Sequence, residues 1–349
     1  MEKQITLFKG ELMEELLRKY FLSLGYYVAR SVKYKYEDQD ITDIDLYLYG
    51  RSSSLTRERI NVDIKNKKSP QAFERIIWAN GIKQMLNFNS CIVATTDQKP
   101  VIHKYGNIHK TTILDGAFLA KLKSESIAER LSEDDLMIQL SEFKDFNVTG
   151  NKDWRSIYEA SKSKLLSEQD FSGFNSILMK LHYFIEKCLI SEQQRLLALR
   201  MTYILLSHLL VIMDFILKDI VFLEQSIREK RLSNGLTYGN LGKEGIDRII
   251  DMATKISGTP SAGKVYQSLE DNPTHILKEY FSKTDNSKSI FQYAKDLENI
   301  GFKVNFTYPG DLDAPLKSVL AVMLDYFSVE RVKFFNLKHD AAKRTDKSS

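Results

Sequence analysis

No proline stands between Pro100 and Pro260, and that gap constrains the chain more than any other feature. Proline interrupts helix interiors because it lacks an N–H and clashes with the preceding turn, so a long proline-free block suits long helices. Ahead of the gap, helical and period-two patterns alternate. A mixed first part and a helical later part are therefore expected. The 349 residues also exceed the roughly 250 at which single cores stop growing, so two domains are expected.

Leu12, Leu16, Leu17, Tyr20, Phe21 and Leu24 recur at helical spacing, and Gly25 closes the pattern as a C-terminal glycine does. Three β-rich runs follow at 26–34, 44–50 and 59–65, the last two joined by the polar loop RSSSLTRE. Ser69-Pro70 opens a helix expected to reach Asn87, since serine caps and proline suits a first turn. SCIVATT reads as a buried strand, TTILDG as one more and AFLAKL as a closing helix. The order αβββαβ(β)α makes an α/β domain over 1–123, a mixed sheet flanked by helices. The polar, acidic stretch 124–152 is expected to be a linker, and 153–349 a mainly helical domain for recognition, oligomerisation or regulation. There, 174–190 is amphipathic, and Ser191 with Gln194 makes a capping-box pattern ahead of a helix expected to reach Arg231. Such a helix would span about 60 Å, apolar nearly all round in its middle. The tail from Lys333 is basic and expected to fray.

The net charge of +4 is too small to identify a nucleic-acid binder. Its distribution says more: residues 1–123 hold 20 Lys/Arg against 14 Asp/Glu, leaving 30 against 32 for 124–349. Cys91 and Cys188 are the only cysteines and form no CxxC pair, which excludes a disulfide framework or cysteine-based zinc site and fits a reducing compartment. The amino terminus lacks the apolar core of a secretory signal. The most apolar stretch, 203–223, is interrupted by His208, Asp214, Lys218 and Asp219, which a membrane span rarely accepts. A cytoplasmic protein is expected.

One constellation carries chemistry. In INVDIK, Asn61, Asp63 and Lys65 alternate with Ile60, Val62 and Ile64, so the acid and the lysine share one strand face. In DIDLYLYG, Asp45 shares a face with Tyr47 and Tyr49. Neighbouring antiparallel strands would bring Asp45 and Asp63 side by side, and two close carboxylates are stable only with a proton or a cation between them. Mg²⁺ (or Mn²⁺) satisfies this, with the Ile64 carbonyl as an added ligand. Lys65 would hold water or neutralise a phosphate. On a helical wheel Glu14 lies about 20° from Phe21 at the margin of the apolar stripe, whereas Glu11 and Glu15 are expected to face water, Glu15 pairing with Lys19.

This ordered set resembles the PD-(D/E)xK nuclease superfamily, whose fold is restriction-endonuclease-like. KGELMEELLRKYFLSLGYYVARS resembles the opening of archaeal Holliday junction resolvases. TDIDLYL and VDIKNK resemble the two acid-bearing strands, and CIVATT with TTILDGAFLAKL is similar to the end of Mrr-like restriction endonucleases. The resemblance covers 5–123. It implies a metal-dependent endonuclease on DNA with Glu14, Asp45, Asp63 and Lys65 as catalytic residues, Asp45, Asp63 and Ile64 on the metal, and roles in restriction or phage defence beside partner subunits. Asp63 stands where glutamate is commoner, and Asp43 could replace Asp45, whose face it shares.

Arg30, Lys33, Lys67 and Lys68 are candidate phosphate contacts, with a charged sheet edge as the plainer role. Gln84 is expected to be an ordinary exposed glutamine, His103 and His109 lack a third zinc ligand, and His208 is expected in a core. The 203–223 stripe offers a homodimer seam. The competing function is a non-catalytic nucleic-acid-binding module that oligomerises through the long helix. RNA is a third substrate expectation.

Overall fold

The computed structural model describes residues 9–37, 39–124, 126–144, 153–257 and 273–338. The first eight residues, the end of the expected linker and most of the basic tail lie outside the described residues. The chain divides into two compact units, Met1–Ser167 with Phe302–Asn305, and Glu168–Gly301 with Phe306–Ser349.

The first unit contains α1 (Lys9–Ser23), β1 (Tyr27–Tyr36), β2 (Gln39–Arg51), β3 (Arg57–Lys65), α2 (Ala72–Met85), β4 (Ser90–Thr95), α3 (Pro100–Ile108), β5 (Thr111–Leu114), α4 (Gly116–Leu122), α5 (Glu133–Ser141) and α6 (Trp154–Ser167). Its five strands lie in the order β1-β2-β3-β4-β5. The β1-β2-β3 meander is antiparallel, and β3-β4-β5 is parallel through helical crossovers. The expected mixed sheet flanked by helices is therefore present.

Strand alternation sorts the side chains into two layers. Leu46, Leu48, Ile60, Val62 and Ile64 pack with Met13, Leu16, Leu17 and Phe21 of α1 and Leu119 and Leu122 of α4. On the other face Cys91, Val93 and Ile113 pack with Ala72, Ile76 and Ala79 of α2 and Ile102 of α3. Gly25, at φ +90°, ends α1 in a conformation costly for other residues, as the sequence predicts.

Three boundaries correct the sequence expectations. α2 starts at Ala72 behind a left-handed Gln71, without a serine cap. Residues 100–108, between the two expected strands SCIVATT and TTILDG, are a helix with Pro100 in its first turn. The first unit does not end at 123: α5 and α6, on either side of part of the expected linker, belong to it. The Ser163 hydroxyl of α6 donates to the Lys33 carbonyl at 2.8 Å, so the β1 edge is covered rather than left open.

The second unit contains α7 (Phe171–Ile190), α8 (Arg195–Leu217), α9 (Gln225–Tyr238), α10 (Gly242–Ser257), α11 (Thr274–Ser282), α12 (Thr284–Phe302, ending in the first unit), α13 (Ala314–Tyr326) and α14 (Arg331–Phe335). α8 is its core: all residues from Leu197 to Asp214 are buried, including His208. The Arg200 guanidinium donates to the Gly301 carbonyl at 2.9 Å and lies 5.0 Å over the Phe306 ring. A side chain at Gly301 would come within 2.7 Å of Ile204, so α12 approaches α8 closely there. The expected helix to Arg231 is two helices. α8 stops at Leu217, tight turns carry 218–223, and Arg228 of α9 donates to the freed Val221 carbonyl at 3.0 Å. The capping box is also absent, since Gln194 makes no side-chain cap bond. α8 is the one described helix apolar and long enough to cross a membrane, and 94% of its most apolar window is buried. Within the 203–223 stripe, Tyr203–Asp214 is buried inside the chain, whereas Phe222, beyond the end of α8, is exposed.

Candidate active site

The site begins as two defects in the ladder around Asp45. Pairing between β2 and β3 runs from Arg51↔Arg57 to Leu46↔Val62 and stops, although β3 continues to Lys65. On the other flank β1 pairs Arg30↔Leu46 and Val32↔Ile44 but skips Ser31, which stands opposite Asp45 at φ 51°. A left-handed serine is uncommon and must be held by its surroundings. The Lys162 ammonium of α6 does so, donating to the Arg30 carbonyl at 2.8 Å and the Ser31 carbonyl at 3.1 Å.

Asp45 thus lies in a fork between parting strands, and its carboxylate accepts the Ile64 N–H at 2.6 Å. Burial raises its carboxyl above the ordinary aspartate value, opposed by that N–H and by the charges of Lys65 and Arg75. A strand residue projects its N–H and C=O to the same edge, so the Ile64 carbonyl also faces the fork. Tyr47 pairs with Asn61, so Asp45 and Asp63, each two residues away, share the α2 side of the sheet.

Asp63 is buried and engaged by both arms of Arg75: Nε donates to Oδ2 at 2.7 Å, and Nη2 donates to Oδ1. Burial lowers the Arg75 pKa while Asp45 counters it. The guanidinium is thus bonded to Asp63 and is attracted electrostatically by Asp45. Lys65 is half-buried, and among the described residues no hydrogen bond or ion pair holds its amine.

Glu14 approaches from the α1 layer. Its carboxylate accepts Arg30 Nε at 2.7 Å. Burial pushes its pKa up to about 7 against the pull of Arg30, with Asp45 adding to the rise. The electrostatics thus couple Glu14 to Asp45, although Glu14 has its own arginine partner.

Other sequence candidates fall elsewhere. Arg30 is not a phosphate contact: it is 2% exposed and its guanidinium serves Glu14, Glu15 (3.1 Å) and Asp134 (2.6 Å). Lys33 pairs with Glu159 at 3.1 Å and Asp40 at 3.6 Å. Lys67 and Lys68 are exposed and, with Lys9 and Lys123, line a basic groove of about 590 Å³ directly after Lys65. Asp43 and Gln84 are exposed. His103 Nε2 donates to the carboxylate of Asp115 at 3.1 Å, the residue that caps α4. Glu15 does not face water. It is buried, binds Arg30, and accepts the Glu133 N–H at 2.8 Å.

Glu133 begins α5 inside the expected linker, yet it is 1% exposed. It accepts from Arg18 at 3.2 Å, from the Tyr158 hydroxyl at 2.8 Å and from Lys162. Burial alone would raise its pKa, but Lys162 and Arg18 overcome that and hold it at about 2. This ion network reaches the site at two points, through Arg30 on Glu14 and through Lys162 on the Ser31 kink.

Sequence reasoning missed Arg75, Ser31 and the network. Arg75 had a signal, since it borders the stripe of Ala72, Ile76 and Ala79, where a charge facing the sheet needs a partner. Ser31 had none. Among the described residues no three His, Cys, Asp or Glu side chains form a ready-made metal cage. The donor types nonetheless suit a hard cation: two aspartates on the same side of adjacent strands and the Ile64 carbonyl edge, beside a guanidinium that already supplies positive charge. No protein-family model, curated protein or solved structure matches the chain.

Proposed function

We propose that the first unit is a metal-dependent nuclease of the restriction-endonuclease-like kind, hydrolysing phosphodiester bonds in DNA. The observation that carries this is Asp45 in the strand fork, on the same side of the sheet as Asp63 and electrostatically coupled to Glu14, Lys65 and the Arg75 that binds Asp63. Asp45, Asp63 and the Ile64 carbonyl would hold Mg²⁺ or Mn²⁺. Such an ion, when bound, polarises a phosphoryl oxygen and acidifies water. Lys65, whose amine is free of ion pairs among the described residues, neutralises charge on the phosphate and orients the attacking water. Glu14, raised to about 7, exchanges a proton near neutral pH. Endonuclease action and service in restriction or phage defence, with partner subunits, rest on the family resemblance alone. The second unit would then recognise the target or gate cleavage.

The decisive assay incubates plasmid, single-stranded DNA and RNA with Mg²⁺ and wild type, Asp45→Ala, Asp63→Ala or Lys65→Ala. Equal activity in all four removes the nuclease.

A non-catalytic nucleic-acid-binding module is the second reading. It is favoured by the arginines that already neutralise Glu14 and Asp63. Both functions place the backbone in the lysine groove. Lys67→Ala/Lys68→Ala is expected to lower the salt slope of duplex binding by about 2, as two phosphate contacts are lost. An unchanged slope in fluorescence anisotropy would take the backbone out of the groove.

A further inference from the structure

Arg75 is placed for more than holding α2 to the sheet. A guanidinium gripping a buried carboxylate adds little net stability, because desolvation offsets much of the attraction. Yet the Arg75 side chain keeps 24% of its surface exposed, so it reaches solvent from its present position. It is drawn to Asp45 as well as Asp63, and the exposed Trp78 indole lies 5.8 Å from it, a second surface on which a guanidinium can rest. The planar fork fits phosphate as well as it fits carboxylate.

We propose that Arg75 is a phosphate-binding residue held in reserve on Asp63. When a divalent ion and a phosphodiester arrive together, the ion would displace the guanidinium from Asp63. The guanidinium then passes to a non-bridging oxygen of the phosphate. No covalent bond changes. Before the exchange Arg75 neutralises Asp63 and is attracted by Asp45; afterwards both acids would face a doubly charged ion, and the arginine would be matched by the phosphate. The exchange keeps both acids compensated throughout, and it makes metal and substrate binding mutually reinforcing. The inference rests on the metal-dependent function proposed for the same site.

The test uses the full chain with Arg75→Gln, Arg75→Lys and Asp63→Ala. Mn²⁺ affinity is read by titration calorimetry, and binding of a fluorescent DNA duplex is read by anisotropy in Ca²⁺. Both arginine variants are expected to bind Mn²⁺ about tenfold tighter than wild type, since the competing bidentate cation is gone. Arg75→Gln is expected to bind the duplex about tenfold more weakly, and Arg75→Lys, which keeps the charge but loses the planar fork, to fall between Arg75→Gln and wild type. A merely structural arginine would leave Mn²⁺ affinity unchanged in both variants and duplex affinity unmoved in Arg75→Gln; either result overturns the exchange. Wild-type Mn²⁺ binding that Asp63→Ala abolishes, with arginine variants matching wild type, defeats the exchange alone. No Mn²⁺ heat in wild type defeats both the exchange and the metal site.

Discussion

Asp45→Ala is expected to lower Mg²⁺-dependent plasmid cleavage on the order of 10³-fold while leaving the fold intact. The carboxylate removed is the one in the strand fork, where it accepts the Ile64 N–H and adds to the charge felt by Glu14. Losing the Ile64 hydrogen bond leaves a buried N–H without its acceptor and costs about 1–3 kcal/mol of stability, so urea denaturation should show a modest loss from a protein that still folds while cleavage collapses. Asp63→Ala and Lys65→Ala should fall by similar factors. The double variant Asp45→Ala/Asp63→Ala should fall no further, because residues acting as one unit are strongly non-additive. Multiplicative losses would mean that the two acids act separately.

Glu133→Gln is expected to destabilise the first unit by about 3–5 kcal/mol, the cost of removing one partner from a buried ion pair and leaving the others uncompensated. Arg18 and Lys162 are each about 1% exposed and both point at this carboxylate. The pH dependence follows from the same group. Burial works against the charged form of Glu133, but Lys162 and Arg18 overcome it and hold the pKa at about 2, below its ordinary 4.5. A depressed carboxyl contributes stability that is fully present above the unfolded value and lost as pH falls from 4.5 through 2. Urea midpoints for wild type should drop across that window, and Glu133→Gln should show a shallower drop from a lower start. Parallel curves would remove Glu133 from the account. Cleavage should also suffer beyond the loss of folded protein, since Lys162 caps the kink opposite Asp45.

What the sequence revealed was what neighbouring residues decide. Leu46 and Leu48 alternate with Tyr47 and Tyr49, so the strand and its two buried faces could be read from a handful of positions. The shared face of Asp63 and Lys65 followed from the same period. Features set by distant partners could not be read. Glu15 sits on the margin of an amphipathic helix, where water is the ordinary environment; its partner Glu133 is 118 residues away. The run Glu133-Asp134-Asp135 looked like a boundary because acids are usually solvated, yet Arg18, Arg30 and Lys162 draw two of the three into the first unit. The end of α8 carries no proline or glycine. The turn that follows it is held by a residue of the next helix, Arg228, which donates to the Val221 carbonyl. Arg75 is intermediate: its helical stripe could be read, its pairing with Asp63 could not.

The most direct measurement of the central claim is a Mn²⁺ titration of the intact wild-type chain by calorimetry, repeated on Asp45→Ala and on Asp63→Ala. A divalent ion held between the parting strands predicts one saturable binding event in wild type that both substitutions abolish. Absence of heat in wild type, or isotherms that do not change when either aspartate is removed, would contradict it.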